Sequence, residues 1–228
     1  MSNKKLIWDL PLRASHWLLV ITLLVLYITS ELGTDYMQYH IYAGYLMIGL
    51  VTFRIIWGVL GTRHARFVNF LTTPSNIIDY IKNKQSVEPV GHNPLGGLMV
   101  LFMLCILLLQ AVSGLFVSDD ILYAGPYNGV YSTDLDKLMT QIHHIVFDLI
   151  IVAIALHIAA IIFYQRVKKQ DLIKPMLSGK KEAKSVPDDQ AINHSKLVTA
   201  FIVAVVVAIF VYWLVVINVP VIEEEYFF

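Results

Sequence analysis

Residues 141–163, QIHHIVFDLIIVAIALHIAAIIF, form an apolar run long enough to cross a lipid bilayer, yet the run contains three histidines. His143 and His157 are 14 residues apart. At about 100° per residue they share one helix face and lie about 21 Å apart along the axis. Ionisable side chains are costly inside a membrane and usually mark function. The stretch therefore predicts a membrane helix that carries two functional histidines, one toward each side of the bilayer.

The rest of the chain has the same membrane character. Hydrophobic residues make up 57% of the sequence and charged residues only 15%, which excludes an ordinary soluble domain. Continuous apolar runs, rather than alternating ones, predict helices and not a membrane barrel. The fold class is therefore all-α integral membrane, a four-helix bundle plus a fifth C-terminal transmembrane helix. The predicted spans are 15–31, 39–60, 95–118, 139–164 and 197–218.

This pattern of apolar runs predicts that the chain is divided into three segments. Residues 1–165 form the four-helix core, and residues 166–196 a charged cytoplasmic linker that we expect to be flexible and to set the last helix apart. Residues 197–228 form the C-terminal transmembrane helix and a periplasmic tail. Tyr212 and Trp213 near the outer end of this helix are typical interface anchors.

The basic residues indicate the orientation of the chain. Segments 1–15, 62–92 and 166–196 hold three, four and eight lysines and arginines, and the other connections hold only Lys137. The positive-inside rule then places the N-terminus in the cytoplasm and the C-terminus in the periplasm of a bacterial inner membrane.

Acidic residues occupy the predicted outer face. One explanation is that acids remained where basic residues were excluded; the other is that they dock a basic partner. These acids are Glu31, Asp35, Asp119, Asp120, Asp134, Asp136, Glu223, Glu224 and Glu225.

Two more histidines complete two layers. His16, in WDLPLRASHW (8–17), lies at the inner end of the first helix, level with His157. His40, in YMQYHIYAGYLMIG (36–49), lies at the outer end of the second helix, level with His143. Each layer could therefore hold one metal centre. His144 lies about 140° around the helix from His157 and is the alternative outer ligand.

Cationic and small residues near these layers suit a haem. Arg54 follows His40 by 14 residues, Arg13 precedes His16 by one turn, and Gly44 follows His40 by one turn. Haem propionates would pair with the arginines, and a glycine would let a flat macrocycle approach the backbone. The alternatives are that Arg54 reaches the inner interface, that Arg13 is an ordinary positive-inside charge, and that Gly44 serves helix packing.

The other histidines carry weaker signals. His92, in GHNPLGGL, precedes the third helix and could contact a quinone or the inner haem edge. His64 and His194 fall in cytoplasmic loops, where we expect solvated side chains. The single cysteine, Cys105, excludes a disulfide and covalent haem attachment through CxxCH.

At these residues the sequence resembles the bacterial cytochrome b561 and nickel-iron hydrogenase b-type cytochrome family. The resemblance covers about residues 7–170 and includes IHH and ALH, whose histidines His143 and His157 are 14 residues apart. It implies two non-covalent b-type haems with bis-histidine ligation, the inner on His16 and His157, the outer on His40 and His143. The other matching stretches are WDLPLRASHW, HIYAGYLMIGLVTFRIIWGVLGTRHARF and GHNPLGGL.

The leading hypothesis is a di-haem cytochrome that transfers electrons between the quinone pool and a periplasmic partner such as a c-type cytochrome. It would act as an electron-transfer protein or a quinol-dependent oxidoreductase subunit. Alternatives are the membrane anchor of a hydrogenase and a partner-free superoxide:quinone oxidoreductase, which the acidic outer face disfavours. A histidine-relay transporter is disfavoured because no inverted repeat is seen. The sequence has no nucleic-acid motif and leaves a homodimer open.

Overall fold

The computed structural model describes residues 4–82, 89–119 and 121–220. Within these ranges five helices, which begin near Leu10, Thr34, Pro94, Thr133 and Leu197, are long and apolar enough to cross a membrane. This confirms the prediction of an all-α membrane fold with five spans. The elements are β1 (Lys4–Leu6), α1 (Leu10–Glu31), α2 (Met37–Leu60), α3 (Pro74–Ile81), α4 (Pro94–Ser113), α5 (Thr133–Arg166), α6 (Ile173–Ser178), β2 (Lys180–Glu182) and α7 (Leu197–Tyr212), which continues as a π turn, Trp213–Ile217.

Side-chain caps fix where three of the membrane helices begin. Asp9, Asn93 and Ser132 each accept a hydrogen bond from the backbone N–H three residues later. These bonds satisfy donors that a helix N-terminus otherwise leaves unpaired. Pro11 and Pro94 lie in the first turn of α1 and α4, where the missing proline N–H costs nothing.

The four-helix core consists of two helix pairs. α1 packs against α2, α4 packs against α5, and contact between α2 and α4 joins the pairs. Leu19, Met47, Val51, Leu104 and Ile150 form the centre of the buried core. α1 and α5 make few direct contacts with each other. We call the end of the bundle that carries β1 and β2 the inner end and the opposite end the outer end.

The segment 166–196 is folded, so the expectation of a flexible linker is wrong for this part of the chain. β2 pairs antiparallel with β1, and the Ile192 N–H donates to Leu6 O at 2.9 Å. Val186 is only 2% exposed and packs in a cluster with Ile7 and Trp57. The polar composition of the segment hid these apolar contacts, which fasten it to the N-terminus.

α7 is likewise not set apart from the core. It packs against α2, where a Cβ on Gly49 would lie 3.6 Å from Val211 Cγ2. Lys196 Nζ donates to Leu60 O and Gly61 O, both at 3.1 Å, and so caps the C-terminus of α2. At the outer end, Tyr127 Oη donates to Leu214 O at 2.9 Å. The division into core, linker and C-terminal helix stays a prediction.

Candidate functional site

His40 on α2 is held by α1. Its Nδ1 lies 3.0 Å from Leu26 O and 3.3 Å from Thr29 Oγ1. A carbonyl oxygen only accepts, so Nδ1 carries the proton and donates it. The Thr29 hydroxyl donates to Val25 O at 2.7 Å, which leaves its lone pairs to accept from the imidazole. Nε2 of His40 is therefore the unprotonated nitrogen and can bind a metal.

His143 on α5 is held by α4 in the same way. Its Nδ1 lies 3.0 Å from Gln110 O and 3.2 Å from Ser113 Oγ. Ser113 Oγ itself donates to Gln110 O at 3.0 Å. His143 lies near His40, so the two histidines form one layer at the outer end.

The histidine doublet divides between two environments. His143 is half-buried and bonded to α4, whereas His144 is exposed on the outside of α5. The two rings are 6.4 Å apart. Neighbouring helix residues differ by about 100° in direction, so only one of them can face the bundle. The contacts favour His143 over the alternative ligand His144, and the assignment stays a prediction.

Gly44 on α2 has open space beside its Cα. A Cβ built at this position meets no atom within 4 Å. By contrast, a Cβ on Gly58 of the same helix would meet the ring of Phe67 at 2.1 Å. Helix packing therefore does not explain Gly44, and the space beside it suits a flat group.

His16 and His157 form the second layer, at the inner end. His16 interacts electrostatically with His157 and with Arg54. Its Nδ1 is buried and has no hydrogen-bond partner within the described residues. His157 is half-buried and also makes no hydrogen bond there. The structure brings these three side chains together, and their roles as haem ligands and propionate partner stay predictions.

Arg54 faces the protein interior. It is 5% exposed, and Nη1 donates to Ala65 O at 3.3 Å. The guanidinium carbon lies 5.2 Å from the centre of the Phe67 ring. The loop after α2 encloses its head group, which favours an interior role over the alternative that Arg54 reaches the inner interface, and the role of Arg54 stays a prediction.

Asp9 joins the start of α1 to the end of α2. The side chain is fully buried and accepts hydrogen bonds from Leu12 N at 2.7 Å, Trp57 Nε1 at 3.1 Å and the Thr62 hydroxyl. It also interacts electrostatically with Arg54. In the sequence Asp9 stands out only as part of the stretch WDLPLRASHW, and its position two residues before Pro11 is the signal for an N-cap.

Arg13 contacts the folded segment 166–196. Its Nη1 donates to Leu177 O on α6. Its Nε is buried without a partner among the described residues, and so are His16 Nδ1, Arg66 Nε and His92 Nδ1. Buried nitrogens are normally paired, because leaving them unpaired costs free energy. The inner end thus presents several polar nitrogens and two guanidinium groups that suit an anionic group such as a propionate.

His92 lies beside this inner layer. Its ring centre is 4.7 Å from that of Trp8 and 4.5 Å from that of Phe70. Burial, followed by the nearby positive charge of Arg54, lowers the pKa of His92 to about 3, so the ring is neutral at physiological pH. A cavity of about 190 Å³ opens next to His92 and His64.

His64 does not match the expectation of a solvated loop residue. It is 8% exposed, and Nε2 donates to Gln190 O at 2.8 Å. Burial lowers its pKa. The partner lies in the segment that was expected to be flexible, which explains why the sequence did not reveal this burial. His194 is exposed, as expected.

These features fit a haem group in each layer. Two pairs of imidazoles would hold the iron of such groups, and the apolar core offers the surroundings that a non-covalent haem requires. The open space at Gly44 lies on the outer half, and the unpaired nitrogens lie at the inner end.

Comparison with known proteins agrees with this chemistry. Residues 7–179 match the sequence profile of the family described as prokaryotic cytochrome b561. No curated protein matches the chain. The matched region covers most of the chain and includes all four histidines of the two layers, and α7 lies beyond it. The chain therefore belongs to the prokaryotic cytochrome b561 family and is a transmembrane b-type cytochrome of electron transfer.

Proposed function

We propose that the chain binds two b-type haems, one between His16 and His157 and one between His40 and His143. It would transfer electrons between membrane quinone and a periplasmic redox protein. The observation that carries the proposal is the proximity of these histidines in two layers, with α5 contributing one histidine to each. When bound, haem b supplies reversible one-electron chemistry at iron.

The chain's own residues would position each group. Hydrogen bonds from Nδ1 of His40 and His143 would leave Nε2 of each ring unprotonated and available to hold iron. Gly44 leaves room for the macrocycle beside α2. Arg13 and Arg54 would hold the carboxylates of the inner haem. The spacing on α5 separates the layers by about 21 Å, most of a hydrocarbon core about 30 Å thick.

The inner end would face the cytoplasm and the C-terminus the periplasm. This orientation is supported by the basic residues of segments 1–15, 62–92 and 166–196, whose described members lie in or beside the inner end. The protein would then reside in the bacterial inner membrane, where the apolar outer surfaces of the helices contact lipid.

The acidic outer end supports the proposal that a basic periplasmic partner, such as a c-type cytochrome, docks there. Glu31, Asp35 and Asp134 are exposed, so their charges are available to a partner. Asp119 and Asp136 also have structural roles, because each accepts hydrogen bonds from loop backbone N–H groups. These bonds lower the pKa of Asp119. Asp120 and Glu223, Glu224 and Glu225 lie outside the described residues.

Haem quantification tests the two-haem arrangement. Pyridine haemochrome assay of the purified chain should give two haems b per chain, and His143→Ala should retain one. His144→Ala, the matched control on the exposed neighbour, should retain two. One haem in the unchanged chain, or loss of haem from His144→Ala but not from His143→Ala, would contradict the assignment.

Quinol reduction tests the electron-transfer partner. Proteoliposomes that contain the two-haem chain are mixed with a quinol, and the reduced haem spectrum is followed. Reduction within seconds supports exchange with the quinone pool. A spectrum that stays oxidised with both ubiquinol and menaquinol, but is reduced by dithionite, would remove quinone from the proposal.

A further inference from the structure

The two histidine layers differ in how Nδ1 is held. At the outer end, each histidine donates to a carbonyl oxygen and faces a buried hydroxyl on the same neighbouring helix, Thr29 for His40 and Ser113 for His143. These hydroxyls are 6% and 0% exposed. At the inner end, neither His16 nor His157 makes such a bond with any residue the structure describes.

This difference has a direct effect on a bound iron. A hydrogen bond from Nδ1–H increases the electron donation of the imidazole, which stabilises the ferric state and lowers the midpoint potential. Thr29 and Ser113 donate their own protons to backbone carbonyls, so each presents lone pairs to the imidazole. Both outer ligands would therefore donate more strongly than either inner ligand.

The charges around each histidine pair would shift the midpoint potentials in the same direction as these hydrogen bonds. Arg13, Arg54 and Arg66 lie at the inner end, where the buried carboxylate of Asp9 offsets only part of their charge. Positive charge near an iron centre stabilises its reduced form and raises its potential. At the outer end, Glu31 follows Thr29 by two residues, and the outer connections carry mainly acids.

We propose that Thr29 and Ser113 are positioning residues that act through His40 and His143 to set the outer haem at a lower midpoint potential than the inner haem. The inference rests on the proposed two-haem arrangement. At equilibrium, a single electron on the protein then resides mainly at the inner end.

Potentiometric titration followed by visible spectroscopy tests this order without measuring activity. The unchanged chain should titrate in two waves, and His143→Ala should lack the lower one. The double variant Thr29→Val/Ser113→Ala should move the lower wave to higher potential and leave the upper wave in place. Thr29→Ser and Ser113→Thr keep a hydroxyl and should restore the original lower wave.

Thr22→Val is the matched control, since Thr22 is buried on α1 and makes no hydrogen bond to a histidine among the described residues. It should leave both waves unchanged. If the double variant loses haem, Ser113→Ala alone is titrated, and its ferric EPR signal should change only for the outer haem.

Three results would overturn the inference: loss of the upper wave in His143→Ala, an equal shift of both waves in the double variant, or no shift at all. A chain that holds only one haem would instead contradict the proposed function. The two failures are therefore distinguished by haem content, which is measured on the same samples.

Discussion

The outer and inner histidine layers are built by different means. The outer layer depends on contacts within two helix pairs, α1 with α2 and α4 with α5. The inner layer lies beside a polar network formed by Arg54, Asp9, the loop after α2 and the segment 166–196. Two similar histidine pairs can therefore be surrounded by local helix contacts at one end and by long-range loop contacts at the other.

The outer layer should be the easier one to remove without unfolding the protein. Gly44→Leu places a side chain where no described atom lies within 4 Å, so the fold should persist while the outer haem is excluded. Haem assay should show the loss of one haem of two, and the spectrum should retain the inner haem. The melting temperature of the apolar bundle provides the check on folding.

Gly49→Leu is the control for this substitution. Gly49 lies on the same helix but faces Val207 and Val211 of α7, both within 4 Å of an added Cβ. This variant should lower the melting temperature and keep both haems. Retention of two haems by Gly44→Leu would mean that the space beside Gly44 is not a haem site.

The inner layer should be sensitive to residues that touch no haem. Asp9→Ala removes the acceptor of three buried donors, on Leu12, Trp57 and Thr62. Each unpaired donor costs about 1–3 kcal/mol, so the variant should lose at least ~3 kcal/mol of stability. SDS denaturation in mixed micelles measures this loss.

The same variant should weaken the inner haem more than the outer one, because Asp9 also fixes the start of the helix that carries His16. Asp35→Ala is the control, since Asp35 is an exposed acid at the outer end. Equal losses of stability in the two variants would contradict the structural role of Asp9.

The membrane fold was predictable because a long apolar run has essentially one stable conformation in lipid. The two layers followed from a simple period, since His143 and His157 must share a helix face. The ends of the helices were harder to predict from the sequence. α5 begins at Thr133, well before the apolar run, because Ser132 caps a polar first turn.

Contacts between distant parts of the chain were not predictable. Trp57 and Thr62 are 48 and 53 residues from Asp9, and nothing in their local sequence points to a buried carboxylate. Thr29 and Ser113 depend on how each helix is rotated against its neighbour, which hydropathy does not specify. Val186 was hidden because one apolar residue in a charged segment looks like a solvated loop.

The pH dependence of the free energy of unfolding should show a smaller difference between the inner and outer ends. His92, at the inner end, has a pKa of about 3, well below its usual value, mainly because it is buried. As pH falls from about 6.5 toward 3, the unfolded chain binds a proton that the folded chain does not. The contribution of neutral His92 to the free energy of unfolding is therefore fully present above about pH 6.5. Below that pH it falls by about 1.4 kcal/mol per pH unit.

His92→Gln should make the decline of unfolding free energy between pH 6.5 and 4.5 shallower, as measured by SDS denaturation at each pH. His194→Gln is the control, because His194 is exposed in the segment 166–196. His64 shares the lowered pKa, so part of the acid sensitivity should remain in His92→Gln. Parallel stability curves for the unchanged chain and His92→Gln would show that the unfolded and folded chains protonate His92 alike. The inner end would then owe its acid sensitivity to other groups, and burial of His92 would not distinguish it from the outer end.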